Sequence, residues 1–543
     1  MLINTLKKLL PFLSLAVVVV FVFKDLPQTF YQQDEWNGLG LALAEGSRSI
    51  LNGVQSVISI FLGKGRLISN GIFYLFLYGF PFQNSQMAIF AIFLHLIATS
   101  LVYFLVNRFL KNSTISFLGA LFFAVNSVSH GAVTWPFVAT SAVGSSIFVL
   151  LATLFFFRYI DTTKTKWLFL AGLLLYLSLW FKETGLYMFI FLPFATLIFK
   201  KYEPLIFLKK FWLFLLPFLL IVGYRVLELR LRITGSNLYI TGNNDNFFLT
   251  LIIRAILYPL TSFSLMFVPG NHFIEFAREV VHDNYPFFAG APNFVLIAQS
   301  AILDILAVVL TGFIIFVIFL FLRKEKSENI NIVIFWLAFS LFSFIPYIVL
   351  AKDFSYLESR YYYVSVAGGS FLLAWLLQRL RQIIGKVGFL VFVAPLYVFF
   401  LWWHVNTVRA AISEQVVLSN IRNNFIIQLR EQLPTLNAKK NIFYVTSDKN
   451  YWADTNMLPF QQGSGYTLMV LYYYSGKIPS EFLKNGYLFE IGSQGYKESG
   501  DLGFGFFWNK EELTKAMETH KLPENSIIYL SYNSKKESVT ISK

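Results

Sequence analysis

The chain has 543 residues, of which 56% are hydrophobic, 19% aromatic and 14% charged, and its formal net charge is +14. Soluble chains carry about 25% charged residues, so these charges are too sparse to cover several soluble domains, and a soluble or secreted enzyme is excluded. The chain contains no cysteine, which excludes disulfides, thiolate metal sites and a cysteine nucleophile.

Apolar segments long enough to cross a membrane recur through residues 1–404. The first has no signal-peptide cleavage site and is followed by further spans, so we interpret it as a retained helix. The segment 247–268 is apolar but contains Arg254 and Pro259, and we expect a re-entrant or interfacial helix there. We predict about eleven spans of membrane-crossing length, at 9–23, 86–107, 115–129, 134–157, 167–181, 185–199, 211–229, 299–322, 330–350, 361–378 and 387–403.

Basic residues concentrate between alternate spans. With the N-terminus in the cytoplasm, one side of the membrane receives 17 basic and 4 acidic of the residues within 1–404, and the other side receives 12 basic and 13 acidic. This is the split of the positive-inside rule, so orientation explains the basic excess, and no nucleic-acid partner is expected. The loops 24–85 and 230–298 and everything after residue 404 are then extracytoplasmic, and a bacterial plasma membrane is the expected location.

The part after the last span has a different pattern. Apolar residues at helical spacing predict an amphipathic helix over 405–433. Residues 440–543 then alternate strand-like runs with a helix near Lys510–Thr519; the predicted strands are Ile442–Val445, Thr467–Tyr474 and Ser526–Leu530. The predicted fold class is therefore an all-α polytopic membrane bundle over 1–404, followed by a small α/β extracytoplasmic domain within 405–543. Amphipathic segments are also expected at 50–62 and 68–80, in the first outer loop.

Several charged or polar residues lie beside the spans, all on the predicted outer side. Charges next to membrane spans are costly and are treated as functional candidates; these are Asp34, Glu35, His130, Lys182, Glu183, Glu358 and Arg360. A single charge at a helix end can instead mark the interface or extend to water, and a turn histidine can cap helix ends. His95 lies alone within a span, where helix packing is the expected role.

This set of residue types favours chemistry on a lipid-linked phosphate. Nucleotides are confined to the cytoplasm, so a transferase on the outer face needs a donor carried by lipid, such as a polyprenyl-phosphate sugar. A carboxylate would accept the proton of the acceptor hydroxyl. Arginine and lysine would bind the donor phosphate and stabilise the charge that develops on the leaving group.

Four short segments resemble motifs of the GT-C superfamily of membrane glycosyltransferases. The similarity is to bacterial relatives of the membrane domain of TPR-containing protein O-mannosyltransferases, and it covers about residues 1–400. The segments occur in the family's order: Gly65–Ser69 is like "YRP", His130–Trp135 is like "HPxxxEAVxW", Lys182–Gly185 is like the "KE" turn, and Glu358–Tyr363 is like "ERYLY".

The chain also departs from that pattern. Gly65 and Leu67 stand at the tyrosine and proline of "YRP", and Gly131 stands at the proline that follows the histidine. The glutamate of "EAV" is lost, and no TPR array follows the spans. These differences bear on the sugar and the acceptor more than on the superfamily.

The resemblance implies an inverting transfer by a single displacement. Asp34 would be the catalytic base, and Glu35 would orient the donor sugar or the acceptor. Arg360 would be the main phosphate ligand, followed by Lys182 and Arg66. Supporting roles would fall to Glu183, Glu358 and His130. No cofactor is predicted and no metal is assigned, although Asp34, Glu35, Glu183 and His130 could converge on a divalent ion. The acceptor would be a hydroxyl of a protein, lipid or glycan, and membrane lipids would surround the enzyme.

Three alternatives remain open at this point. The first is a different GT-C enzyme, such as an oligosaccharide ligase or polymerase, or a lipid-modifying enzyme of the aminoarabinose type. The second is a lipid or sugar transporter, which would show paired broken helices or repeat symmetry; the sequence shows neither. The third is a membrane scaffold, which would leave Asp34 and Arg360 far apart, whereas the enzyme hypothesis brings them to one outer pocket.

Overall fold

A computed structural model describes residues 2–45, 66–200, 204–231, 247–284, 292–323, 325–350, 357–451 and 458–542. Within these ranges the chain is mainly helical and ends in a five-stranded sheet. The chain divides into two compact units. The first unit is Met1–Lys24, Val57–Ser69 and Phe90–Ala410, and the second is Asp25–Ser56, Asn70–Ile89 and Ala411–Lys543.

Helices account for most of the first unit. Each of the eleven predicted spans falls on a helix, and six helices are long and apolar enough to cross a membrane among the residues described. The helices that form this unit, some of which continue into the second, are Leu2–Phe23, Ser85–Leu110, Ser113–Val125, Gly131–Thr134, Pro136–Thr162, Thr165–Phe181, Met188–Phe199, Pro204–Leu231, Phe247–Leu265, Gly270–Asn284, Pro292–Leu322, Ser327–Phe342, Tyr363–Gly388 and Ala394–Gln432.

The surface of these helices is apolar. Val387 is 75% exposed, and Phe392 and Leu396 are about as accessible. Continuous apolar surface of this kind is stable against lipid hydrocarbon and not against water. The chain is therefore an integral membrane protein, as the composition predicts.

The last two predicted spans are separated at Gly385. This residue has a φ of 73°, which the missing Cβ of glycine allows, and it interrupts the helix Tyr363–Gly388. A π-helical turn, Phe389–Val393, then leads into the 39-residue helix Ala394–Gln432. The helix expected over 405–433 is thus present as a continuation of the helix that contains the last span.

The interrupted apolar segment 247–268 forms the helix Phe247–Leu265. Its arginine, Arg254, donates hydrogen bonds from Nη1 to the carbonyl oxygens of Ile348 and Leu350, at 3.3 and 2.8 Å. These bonds provide acceptors for the guanidinium group of Arg254, whose burial beside apolar helices would otherwise be costly. The interfacial placement of this helix stays a prediction.

Charges predicted on the cytoplasmic side contact one another in the first unit. Arg108 pairs with Asp161, and Arg379 pairs with Glu325. The ammonium groups of Lys200 and Lys210 both lie over the ring of Tyr159. Residues assigned to one side by the alternation of spans therefore do meet at one end of the helices, while the orientation in the membrane stays a prediction.

The second unit contains an α/β domain built on five strands: β1 (Lys440–Ser447), β2 (Gly495–Ser499), β3 (Leu502–Phe507), β4 (Ile527–Asn533) and β5 (Ser538–Ser542). The strand order is β2-β3-β1-β4-β5. The central β1 is parallel to β3 and β4, and the edge strands β2 and β5 are antiparallel to their neighbours. The helices of this unit are Asp34–Glu45, most of Leu67–Gly79, Ser464–Tyr472, Ser480–Lys484 and Lys510–His520.

The helix Lys510–His520 covers one face of the sheet, where Leu513 packs against Ile442, Phe507 and Ile527. It begins after Asn509, whose side chain caps the helix by accepting hydrogen bonds from the backbone N–H groups of Glu511 and Glu512. This helix and the strands predicted at Ile442–Val445 and Ser526–Leu530 are confirmed, as is a helix at 68–80.

The strand predicted at Thr467–Tyr474 is wrong. The segment forms the helix Ser464–Tyr472, and all of its residues are buried. A short run that is apolar on every side carries no periodicity that separates a buried strand from a buried helix. The amphipathic segment expected at 50–62 lies outside the described residues.

Candidate functional site

The turn Lys182–Gly185 connects two apolar helices of the first unit and is held from a third. Ser145 donates to the carbonyl oxygen of Lys182 at 3.1 Å, and its Oγ lies 2.7 Å from Oγ1 of Thr184. A Cβ on Gly185 would come within 2.4 Å of Oγ of Ser178, so only glycine permits this close packing. The turn therefore presents Lys182 and Glu183 in a fixed position.

Arg66 binds Glu183 at two points. Its Nη2 lies 2.7 Å from Oε1 and its Nε lies 3.2 Å from Oε2. This fork-to-fork geometry orients the guanidinium plane as well as attracting the charge. The side chains are 40% and 50% exposed, so both remain accessible to a ligand.

Arg360 lies on the short turn Ser359–Tyr361, ahead of the helix Tyr363–Gly388. Its Nη2 is 2.7 Å from Oε2 of Glu358. Its guanidinium carbon lies 5.0 Å from the ring centroid of Trp135 and 5.2 Å from that of Tyr361. Two aromatic rings and a carboxylate thus fix this cation.

Lys182 is buried, with 5% of its surface exposed, and its Nζ lies 5.2 Å from the ring centroid of Tyr361. The ring of Tyr361 packs in turn against Tyr347, with centroids 4.4 Å apart. One aromatic ring therefore contacts both Lys182 and Arg360. Burial, and then the positive charge of Arg66, lower the pKa of Lys182 to about 7, against the opposing charge of Glu183.

His130 precedes the one-turn helix Gly131–Thr134, and its Nδ1 lies 3.1 Å from Oγ1 of Thr134. Burial lowers the pKa of His130 to about 4, so the ring is neutral at pH 7 and adds no cation. A Cβ on Gly131 would lie 2.0 Å from Oγ of Ser359. The turn that contains His130 therefore packs directly on the turn that contains Arg360.

His95 connects the same two parts of the chain. Its Nε2 lies 2.9 Å from the carbonyl oxygen of Ala124, which can only accept, so Nε2 donates. Its Nδ1 then accepts from the hydroxyl of Tyr363 at 2.7 Å. The packing role expected of this residue is therefore accompanied by two buried hydrogen bonds.

The two acidic candidates of the first outer loop lie in the second unit, in the first turn of the helix Asp34–Glu45. Glu35 is fully buried, and its Oε2 accepts from the backbone N–H groups of Gln32 and Gln33, at 3.4 and 3.3 Å. Asp34 is half-buried, and its Oδ1 accepts from Nε2 of Gln462 at 3.4 Å. Asp34 is thus the more accessible of the two carboxylates.

The structure brings six of the eight predicted site residues together within the first unit: Arg66, His130, Lys182, Glu183, Glu358 and Arg360. Asp34 and Glu35 adjoin each other in the second unit, and their meeting with the cations stays a prediction. The sequence did not predict the aromatic contacts of Trp135, Tyr347 and Tyr361. Two of these residues lie inside the motif segments, so aromatic side chains next to the motif charges were the available signal.

Metal binding receives no support from the placement of acidic residues. Among the described residues, no group of three or more histidine, aspartate or glutamate side chains is arranged to hold a metal ion. The predicted absence of a cofactor stays a prediction. The chemistry available to the first unit is that of a cationic, aromatic-lined anion site.

No protein-family model matches the chain, and no curated protein matches it. Among solved structures, the chain is similar to the crystal structure of ArnT from Cupriavidus metallidurans bound to undecaprenyl phosphate. The sequence identity is 10% and the TM-score is 0.45, over 98% of this chain and 94% of that one. A likeness this distant transfers no function, which rests instead on the residues of the site.

Proposed function

We propose that the protein is a GT-C-type membrane glycosyltransferase that moves a sugar from a polyprenyl-phosphate donor to an acceptor hydroxyl outside the cytoplasm. The observation that carries this proposal is the cationic cluster, defined as Arg66, Lys182 and Arg360. Three separate segments of the chain bring these side chains together. Arg66 directly precedes the helix Leu67–Gly79, Lys182 follows the helix Thr165–Phe181, and Arg360 lies ahead of the helix Tyr363–Gly388.

The cluster has the properties of a phosphate site. The two guanidinium groups are pre-oriented by carboxylates and aromatic rings, which suits bidentate recognition of phosphate oxygens. Lys182 is a buried cation whose charge is disfavoured by burial and by its cationic neighbours. A bound phosphate would remove that penalty. Because the turns adjoin apolar helices, a phosphate attached to a long lipid fits better than a free nucleotide.

In the proposed reaction, the acceptor oxygen attacks the anomeric carbon while Asp34 takes the hydroxyl proton. The bond between the anomeric carbon and the phosphate oxygen breaks, and its electron pair remains on the polyprenyl phosphate. The anomeric configuration inverts, and the cationic cluster stabilises the departing oxygen. Glu35 is too buried to meet an acceptor directly, so its role is to fix the turn that carries Asp34.

The acceptor and the sugar define the finer proposal. The resemblance to protein O-mannosyltransferases favours a hexose and a protein hydroxyl. A lipid or glycan hydroxyl, as used by ligases, polymerases and lipid-modifying relatives, is the alternative acceptor. These alternatives differ in the acceptor and share the donor chemistry.

The test uses the full-length protein in lipid nanodiscs with a panel of labelled polyprenyl-phosphate sugars. Asp34→Asn should abolish transfer while donor binding persists, and Arg360→Ala should weaken donor binding. Arg381→Ala, on the predicted cytoplasmic side, is the matched control and should change neither. Unchanged turnover in Asp34→Asn would refute the base assignment, and unchanged donor affinity in Arg360→Ala would refute the phosphate site.

A further inference from the structure

We propose that the C-terminal domain completes the acidic pair, with Gln462 and Arg422 acting as positioning residues for Asp34 and Glu35. This inference rests on the proposed function, because it takes Asp34 as the base. It assigns a catalytic purpose to the part of the chain for which the sequence indicated none. All four residues belong to the second unit.

The segment 458–463 of the C-terminal domain packs on the first turn of the helix Asp34–Glu45. The ring of Phe460 lies 5.8 Å from that of Trp36 and 5.4 Å from that of Phe425, measured between centroids. This packing places Gln462 so that its amide donates to Asp34 across 428 positions of sequence. A neutral amide donor can hold a carboxylate without adding a competing charge.

Glu35 interacts electrostatically with Arg422 in the helix Ala394–Gln432. Both side chains are buried, 0% and 3% exposed, and their opposite charges interact. The Nε of Arg422 also donates to the carbonyl oxygen of Pro459 at 3.0 Å. A buried carboxylate is stabilised by a nearby opposite charge, so Arg422 acts on Glu35 through its charge and on the segment that contains Gln462 through its hydrogen bond.

The two neighbouring carboxylates, Asp34 and Glu35, therefore have different roles. The charge of Arg422 acts on the buried Glu35, whereas the adjacent Asp34 accepts a hydrogen bond from Gln462. Gln462 then orients one oxygen of Asp34. A neutral amide lowers the proton affinity of a carboxylate less than a paired guanidinium does, so a base positioned by Gln462 can still accept a proton.

The first test is Gln462→Ala in the full-length protein, with the adjacent Gln461→Ala as the matched control. We expect kcat to fall roughly three- to tenfold with the donor KM unchanged, since one hydrogen bond to a charged group is lost. The acidic limb of the pH–kcat profile should move up by roughly half a pH unit, because the amide donates to the ionised form. If Gln462 had only a structural role, Gln462→Ala would leave the acidic limb of the profile in place and would not lower kcat selectively.

The second test separates folding from positioning. Arg422→Met removes the positive charge that acts on the buried Glu35 and should lower the thermal midpoint. The double variant Arg422→Met with Glu35→Gln should recover the midpoint, since both buried charges are gone. We expect kcat to remain low in the double variant. Full recovery of kcat there would overturn the positioning role of Arg422.

The outcomes distinguish this inference from the proposed function. If Asp34→Asn keeps its turnover, the base assignment fails. If Asp34→Asn is inactive and Gln462→Ala behaves as Gln461→Ala does, the proposed function stands and the role of Gln462 is overturned.

Discussion

Arg66 and Glu183, which are 117 positions apart in sequence, form a two-point ion pair beside the buried ammonium group of Lys182. Both partners are about half exposed, and exposed pairs contribute roughly 0–1 kcal/mol to stability. The pair therefore matters for position: it holds a guanidinium next to the proposed phosphate site.

This relationship predicts the effect of Arg66→Lys. The charge is kept and the two-point contact is lost, so the donor KM should rise by about tenfold or less, while the thermal midpoint changes little. Donor titration and a thermal melt in nanodiscs measure the two effects. Arg108→Lys alters an ion pair on the predicted cytoplasmic side and serves as the control. A large drop in the midpoint with an unchanged KM would contradict the positional role.

Donor binding should depend on pH through Lys182, whose pKa is lowered to about 7. Below that pH the ammonium is charged and attracts phosphate; as the pH rises through 7 the free site loses this charge. Donor affinity should therefore fall between pH 6 and pH 8, and Lys182→Arg, which stays protonated, should flatten the dependence. A slope that is the same in both proteins would argue against Lys182 as the titrating group.

The packing of Gly131 on Ser359 predicts a paired substitution. Gly131→Ala would place a Cβ 2.0 Å from Oγ of Ser359 and 3.5 Å from the backbone nitrogen of Arg360. The turn must then shift, and donor affinity should fall. Ser359→Ala removes the clashing oxygen and leaves a contact of 3.3 Å, so the double variant should recover most of the affinity. A double variant as weak as Gly131→Ala would show that this contact does not position Arg360.

His95 should contribute to stability. His95→Leu would leave the hydroxyl of Tyr363 and the carbonyl of Ala124 without their bonds to the imidazole, at a cost of about 1–3 kcal/mol for each buried group. Thermal unfolding of the purified protein would show a clear decrease in midpoint. His272→Leu, at an exposed position, is the comparison and should unfold close to the wild type.

The helices were predictable because membrane spans carry a strong signal: long apolar runs and charges that alternate in number between loops. The turns Lys182–Gly185 and Glu358–Tyr363 could be selected for the same reason, since charge is costly beside such runs. The strand prediction at Thr467–Tyr474 failed because the residues up to Tyr472 are buried on all sides of a helix, which erases the periodicity that separates a helix from a strand.

The detailed site was less accessible from sequence. Tyr361 lies within the segment Glu358–Tyr363, but its contact with both Lys182 and Arg360 depends on how two distant turns pack. Gln462 has no local feature that distinguishes it from Gln461; only the folding of the second unit places it beside Asp34. Contacts of this kind arise from tertiary packing and leave no mark within a short window of sequence.

The ring of Tyr361 between two cations has a consequence for the speed of the proposed cycle. A phosphodiester donor carries one negative charge, whereas the phosphomonoester left after transfer carries about 1.5 to 2 near pH 7. The cations around the ring of Tyr361 should therefore bind the polyprenyl-phosphate product more tightly than the sugar-loaded donor. We therefore expect exit of the used lipid, rather than bond breaking, to limit throughput, with marked inhibition by the accumulated product.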